Sequence, residues 1–280
     1  MKRSGIELLN ARTRNANIAR ETIAIIKQGS YASPTGAQID ISETTTNAIK
    51  NTILYDKPLP KKEYTATKPT IEVLNETTAQ AATRLLSSGK DNIVALNFAA
   101  ARNQGGGFLN GASAQEEDLC RCSSLYSCLK SKPMFYNKNI LCNDPYYTND
   151  IIYSPKVPFF RNEHNLFLEE PFLLSIISSP APNLSGARPE GLQTLLKGIL
   201  RERAMKIFEI AEAHGHKTLI LGAWGCGAFG NSPAMVAEAF KLAMQKVPTF
   251  EHICFAVYDT REPPVLFETF KAAFANHSLT

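Results

Sequence analysis

A spacer of seven residues separates three consecutive glycines, Gly105, Gly106 and Gly107, from Gln115, Glu116 and Glu117. Glycines at a strand exit reach backbone angles closed to other residues and leave no side chain between backbone and ligand. Successive amides in such a turn can face an anion. Paired acids beside an anion cradle point to chemistry on a sugar attached to a phosphate. The pair also has a plainer reading, since glutamates at a helix start complement the dipole; the glycines upstream favour chemistry. Adjacent helical residues do not face the same way, so these carboxylates are not expected to flank one bond as the usual glycosidase pair does. One acid would act at the scissile bond and the other would position the sugar. Asn103, two residues before the triplet, can donate and accept, which suits a vicinal diol; a turn-forming Asn explains the same position.

A second loop, Gly225-Cys226-Gly227-Ala228-Phe229-Gly230, has the spacing of a dinucleotide-binding turn between a strand and a helix. A nicotinamide site is the alternative reading, but such a turn normally opens its domain, and here only 50 residues follow it. The preferred reading keeps the physics. The loop supplies amides, and the helix starting near Ser232 supplies its positive end, to a pyrophosphate. The alternative is a tight turn with no ligand. Phe229 sits between glycines, a poor place to bury an aromatic, and Asn231 has a supporting role. Glu76 is placed to accept from an exocyclic amine, but helix capping by Asn75 with Glu76 near the dipole explains the same letters and is preferred.

The glycine triplet, the seven-residue spacer and Gln-Glu-Glu together resemble the signature of the compact, microbial-type poly(ADP-ribose) glycohydrolases, over most of the chain from about Ile71 onward. The resemblance implies a macrodomain-like fold in which both glycine loops grip one diphosphate. It assigns Glu117 as the catalytic acid, Glu116 as the carboxylate that positions ribose, and Gln115 as a loop-fixing residue. It places Phe229 against the distal ribose. The implied reaction is hydrolysis of the ribose–ribose bond of poly(ADP-ribose), acting from chain ends and releasing ADP-ribose. Its transition state has oxocarbenium character, and no metal or cofactor is required. The acid must hold a proton at neutral pH, and a bound diphosphate would help by like-charge repulsion. A mono-ADP-ribosyl-protein hydrolase and a non-catalytic ADP-ribose-binding macrodomain are the rival readings; the intact Gln-Glu-Glu speaks against the latter.

A chain of 280 residues buries about three quarters of its unfolded surface, enough for a core without metal or disulfide. No apolar run approaches the ~20 residues of a membrane span, and no secretory signal is expected at the start. The six cysteines show no zinc-ribbon spacing; Cys120, Cys122 and Cys128 fall on one expected helix without a neighbouring histidine. Reduced thiols in a cytoplasmic, monomeric protein are expected. The net charge of +4 resides in residues 1–28, where Lys2, Arg3, Arg12, Arg14, Arg20 and Lys27 face only Glu7 and Glu21. A basic arm can attract a polyanion; a solvated helix face is the plainer reading. Poly(ADP-ribose) or ADP-ribosylated protein is the expected partner, with no membrane and no direct reading of nucleic acid.

The elements that must position these residues alternate. Residues 5–28 read as a helix, with Ile6, Leu9, Ile18, Ile25 and Ile26 on an irregular apolar face and Gly29 as its stop. A second helix is expected over Ser42–Leu54, capped by Ser42. Lys57–Lys62 then breaks the pattern, so residues 1–66 read as an N-terminal helical extension and 67–280 as the catalytic domain. Strands are expected at Thr70–Leu74, Ile93–Phe98, Phe172–Ser178, Thr218–Leu221 and His252–Tyr258. Helices are expected at Asn75–Leu86, Glu190–Ala213, Pro233–Gln245 and Pro264–Ala275. Residues 130–165 read as irregular, with a short strand at Ile151–Tyr153 and a possible role as a flap over the site. This alternation predicts a three-layer α/β/α sandwich around a largely parallel sheet, with ligands bound beyond the carboxyl ends of its strands.

Overall fold

The computed structural model describes residues 5–186 and 192–275, with side chains from residue 10. Lys2, Arg3 and the expected helix start at Glu190 lie outside the described residues, as do the side chains of Ile6, Glu7 and Leu9. In chain order the elements are α1 (Gly5–Gln28), β1 (Ser30–Ala32), β2 (Gln38–Asp40), α2 (Ser42–Lys50) and β3 (Ile53–Tyr55). Then come β4 (Thr70–Leu74), α3 (Thr78–Ser87), β5 (Ile93–Phe98), α4 (Gln115–Cys122), α5 (Leu125–Lys130) and α6 (Pro133–Leu141). The chain continues with β6 (Ile151–Arg161), β7 (Phe167–Ser179), α7 (Leu192–Ala213), β8 (Thr218–Leu221), α8 (Pro233–Lys246), β9 (His252–Ala256) and α9 (Val265–Phe274).

Seven strands form one sheet in the order β3-β6-β7-β5-β8-β9-β4. From β7 to β4 every pairing is parallel; β3 and β6 extend the sheet antiparallel. Buried strands feed both faces by their period of two. Val94, Leu96, Leu219 and Leu221 meet α7, α8 and α9, whereas Ile93, Ala95 and Ile220 meet α3, α4, α5 and α6. Ala19 of α1 and Ala48 of α2 join the second cluster, and β1 and β2 form a separate hairpin. This is the expected α/β/α sandwich. The first 66 residues hold more than helices, since β3 completes one sheet edge.

Several local expectations are corrected. The second helix ends at Lys50, and Thr52 turns the chain into β3. Asp40, not Ser42, stabilises its start, because the Asp40 carboxylate accepts from the Ser42 amide at 2.7 Å and hydroxyl at 2.6 Å. The cap of α3 is Thr77, two residues later than expected: its hydroxyl accepts from Gln80 N, and Gln80 Oε1 accepts from Thr77 N. Asn75 instead ties β4 to the exit of β9 by exchanging two hydrogen bonds with the Asp259 backbone. Residues 130–165 are largely ordered elements, α6 and the 11-residue β6. Their polar letters concealed them. Pro158 is accommodated in β6 beside a register irregularity. The cysteines also divide: Cys120 and Cys122 lie on α4, Cys128 on α5, and all six are free thiols. Among the described residues no group of His, Cys, Asp or Glu is arranged to hold a metal, and no helix is long and apolar enough to cross a membrane.

Candidate active site

A cavity of ≈ 490 Å³ opens beyond the carboxyl ends of the parallel strands. Its walls come from chain exits: Glu76–Ala79 after β4, Phe98 and Ala100 around the end of β5, Ala181 after β7, Gly225, Gly227, Ala228 and Phe229 after β8 and Tyr258 after β9. Gln115, Glu116 and Glu117, the first turn of α4, stand in the same wall. The acid motif and the second glycine loop, 110 residues apart in sequence, therefore share one cavity.

Gln115 anchors the acids. Its carbonyl oxygen accepts from Phe98 N at 2.9 Å, and its amide donates to Leu96 O at 2.7 Å and Thr78 Oγ1 at 3.0 Å. These bonds fasten the start of α4 to the end of β5 and the start of α3, the loop-fixing role expected of it. Its amide is committed to protein partners.

Glu116 is buried and accepts from Asn97 Nδ2 at 3.1 Å and from Ala100 N at 2.9 Å. Burial pushes its carboxyl up to about 8, with the Glu117 carboxylate adding to the rise against these two hydrogen bonds. Glu117 uses both oxygens on backbone: Oε1 accepts from Gly107 N at 2.8 Å and Oε2 from Ala114 N at 3.1 Å. The second is half of a capping box, since Ala114 has no side-chain acceptor to return it. Adjacent helical residues diverge, yet these long side chains bend back toward one point. A Cβ on Gly106 would collide with Glu117 Oε1 and lie 3.1 Å from Glu116 Oε2.

This geometry corrects the role given to the glycine triplet. Gly106 N donates to Asn103 O at 3.0 Å and Gly107 N to Glu117, so neither amide is free for a phosphate. Gly105–Gly107 lie outside the cavity wall; Gly106 admits the carboxylates where a side chain would collide, while Gly105 and Gly107 make room for Tyr126 and Ala112. Asn103 is exposed and also outside that wall; its backbone carbonyl accepts from Gly106 N.

The second loop keeps its anion-binding capacity. Among the described residues the amides of Gly227, Ala228 and Phe229 have no acceptor within the protein, and α8 begins four residues after Phe229, at Pro233. The loop folds back on itself through Gly230 N to Gly227 O and Asn231 N to Gly225 O, each 3.0 Å. Gly225 (φ +70°) lies so close to Ala181 and Asn231 that a Cβ would collide with both. Asn231 is buried and donates to Pro182 O and Gly225 O, a supporting role as expected. Cys226 and Gly230 shape the loop without lining the cavity, and burial pushes the Cys226 thiol up to about 12. Phe229 lines the cavity.

Sequence reasoning missed much of the wall, Tyr258 and Leu266 included. Tyr258 is 62% exposed although it follows a fully buried strand, and an aromatic directly after such a strand was the available signal. Glu76 also lines the cavity, but its carboxylate is held by Arg84 at 2.7 Å.

A family model described as "Microbial-type PARG, catalytic domain" matches residues 19–162. Comparison with curated proteins finds no match. Among solved structures, the poly(ADP-ribose) glycohydrolase of Thermomonospora curvata superposes with a TM-score of 0.88 at 39% identity, covering 94% of this chain and 100% of that one. The same enzyme bound to the inhibitor ADP-HPD gives 0.86 at 38% identity over the same shares. The Deinococcus radiodurans poly(ADP-ribose) glycohydrolase in complex with ADP-ribose gives 0.72 at 34% identity, covering 91% of this chain and 98% of that one. With the family model spanning half of the sequence and this identity extending over nearly all of it, the chain belongs to the microbial-type poly(ADP-ribose) glycohydrolases.

Proposed function

We propose that this chain hydrolyses the ribose–ribose glycosidic bonds of poly(ADP-ribose) and releases ADP-ribose, working from chain ends as a single subunit. The observation that carries the reading is the shared cavity, with two converged carboxylates on one side and three unpaired amides at a helix start on the other. A diphosphate held by Gly227–Phe229 and the α8 terminus would leave its sugar toward Glu116 and Glu117. Glu116, buried and tied to Asn97 and Ala100, positions the ribose. Glu117 acts at the departing ribose oxygen, first as acid and then toward water. Phe229 packs on the distal sugar. The developing oxocarbenium charge is stabilised by the adjacent diphosphate.

Purified protein incubated with poly(ADP-ribose) should release monomeric ADP-ribose from the earliest time points. Mono-ADP-ribosylated protein, treated in parallel, should stay modified. Early release of oligomers would overturn the chain-end reading, and demodification of the protein would favour the mono-ADP-ribosyl hydrolase. Glu117→Gln should lower kcat at least about a hundredfold, the low end for general acid catalysis. Calorimetry should show ADP-ribose binding retained, because the unpaired amides are untouched.

A further inference from the structure

Arg203, in the middle of α7, is fully buried and forms no ion pair with any described residue. Burying a guanidinium without a carboxylate is costly unless its donors are satisfied. Its fork is spent on two separate chain segments that border the active site. Nη1 donates to Pro180 O at 2.7 Å, in the exit of β7. Nε donates to Asn149 Oδ1 at 2.7 Å, and Nη2 donates to Tyr147 O at 3.0 Å and to Tyr146 O. Burial lowers its pKa to about 10, which still leaves it cationic at neutral pH.

The first segment is bonded to the second glycine loop, and the other reaches it through the first and through the Tyr147 ring. After Pro180, Ala181 lines the cavity, Pro182 O accepts from Asn231 Nδ2 at 2.8 Å, and Leu184 N donates to Phe229 O at 2.8 Å. The other segment is stitched to this one by Asn183 N to Pro145 O at 2.8 Å. Within it Tyr147 takes a left-handed backbone (φ +63°), a conformation a bulky residue adopts only when its surroundings impose it. Its ring lies 6.3 Å from that of Phe229, and the Arg102 guanidinium lies over the same Tyr147 ring at 5.5 Å from its centroid. Tyr147 thus stands between the loop that follows β5 and the loop that follows β8.

We propose that Arg203 is a positioning residue for the reaction: it clamps Pro180 and Tyr146–Asn149 together, fixes Tyr147, and so sets the Phe229 face against the sugar. The inference rests on the reading above in which Phe229 orients the ribose. Lys cannot reproduce the clamp, because an ammonium lacks the planar fork that meets several acceptors in fixed directions. Lys206, one turn along α7, supplies the matched comparison. It is also buried but touches this segment only at Asn149 O (2.9 Å), its other bond going to Tyr55 O (2.8 Å).

The test measures kcat and KM on poly(ADP-ribose), and ADP-ribose affinity by calorimetry, for wild type, Arg203→Lys, Tyr147→Ala and Lys206→Met. Each is assayed at least about 10 °C below its own melting temperature. Arg203→Lys and Tyr147→Ala should lower kcat tenfold or more while KM and ADP-ribose affinity change less than threefold. Lys206→Met should lower the melting temperature yet keep kcat within twofold of wild type. Unchanged kcat in Tyr147→Ala, or equal loss of kcat in Arg203→Lys and Lys206→Met, overturns the inference. Should Arg203→Lys not fold, Tyr147→Ala, altered only at a half-buried side chain, decides alone. A wild type inactive on the polymer would sink the underlying reading; an active wild type with indifferent variants sinks only this one.

Discussion

At the scale of single residues, the first turn of α4 buries two identical side chains and gives them different hydrogen-bond partners. Glu116 has a folded-state pKa near 8 against an ordinary value of 4.5. Between those values the unfolded chain has released a proton that the folded one keeps. Stability from this group is therefore fully present below pH 4.5 and is lost as pH rises toward 8, by up to about 1.4 kcal/mol per pH unit. Urea unfolding of wild type at pH 5, 6.5 and 8 should show that decline, and Glu116→Gln should flatten it. A decline of the same slope in the variant would assign it to another group. The placement of Gln115, Glu116 and Glu117 in the cavity wall was legible from their spacing after the glycine triplet. What the glycines do was not legible: sequence spacing suggested amides free for phosphate, whereas Gly106 and Gly107 are engaged by Asn103 and Glu117. Which partner an amide takes is a tertiary fact.

At the scale of elements, α4 is short and polar, eight residues with three acids in its first turn. Helices of that length are marginal alone. It is held by Gln115 at its start and by α1 along the loop that precedes it. Arg12 Nε donates to Asn110 O at 2.9 Å, Thr22 Oγ1 donates to Arg121 O at 2.9 Å, and Gly111 lies against the Arg12 carbonyl. The basic N-terminal helix is thus a support for the acid loop, a contact that no feature of residues 1–28 announced. Gln115→Ala removes three hydrogen bonds and leaves Phe98 N and Leu96 O without them. We expect about 1–3 kcal/mol of destabilisation in thermal unfolding. Loosening both acids at once should also lower kcat by about tenfold or more. A variant of wild-type kcat would show that α1 and the glycine turn suffice. The parallel strands β4 and β5 were read to the residue from their apolar runs, and α1 likewise despite its irregular apolar face. Strand β6 was read only at Ile151–Tyr153, and helix α6 was missed, because buried Asn139, Ser154 and Pro158 carry no apolar signal.

At the scale of the whole molecule, the cavity draws on the exits of five strands, so occupancy should stabilise the entire sheet. Saturation at a hundred times Kd adds about 2.7 kcal/mol, which raises the melting temperature by about 5 °C in a domain of this size. ADP-ribose should give that rise in a thermal-shift measurement, and NAD at equal concentration a smaller one. Equal shifts would reopen the nicotinamide reading. The topology has a consequence for synthesis as well. Strand β4 has a single neighbour in the sheet, β9, and their first paired residues are Thr70 and His252. A ribosome therefore delivers the Glu76–Thr77 wall long before its mate exists. During elongation that edge has to stay unjoined, a slow, distant pairing of the kind that invites off-pathway association. Nascent chains arrested ahead of His252 should depend on chaperones in a way that chains arrested after Ala256 do not.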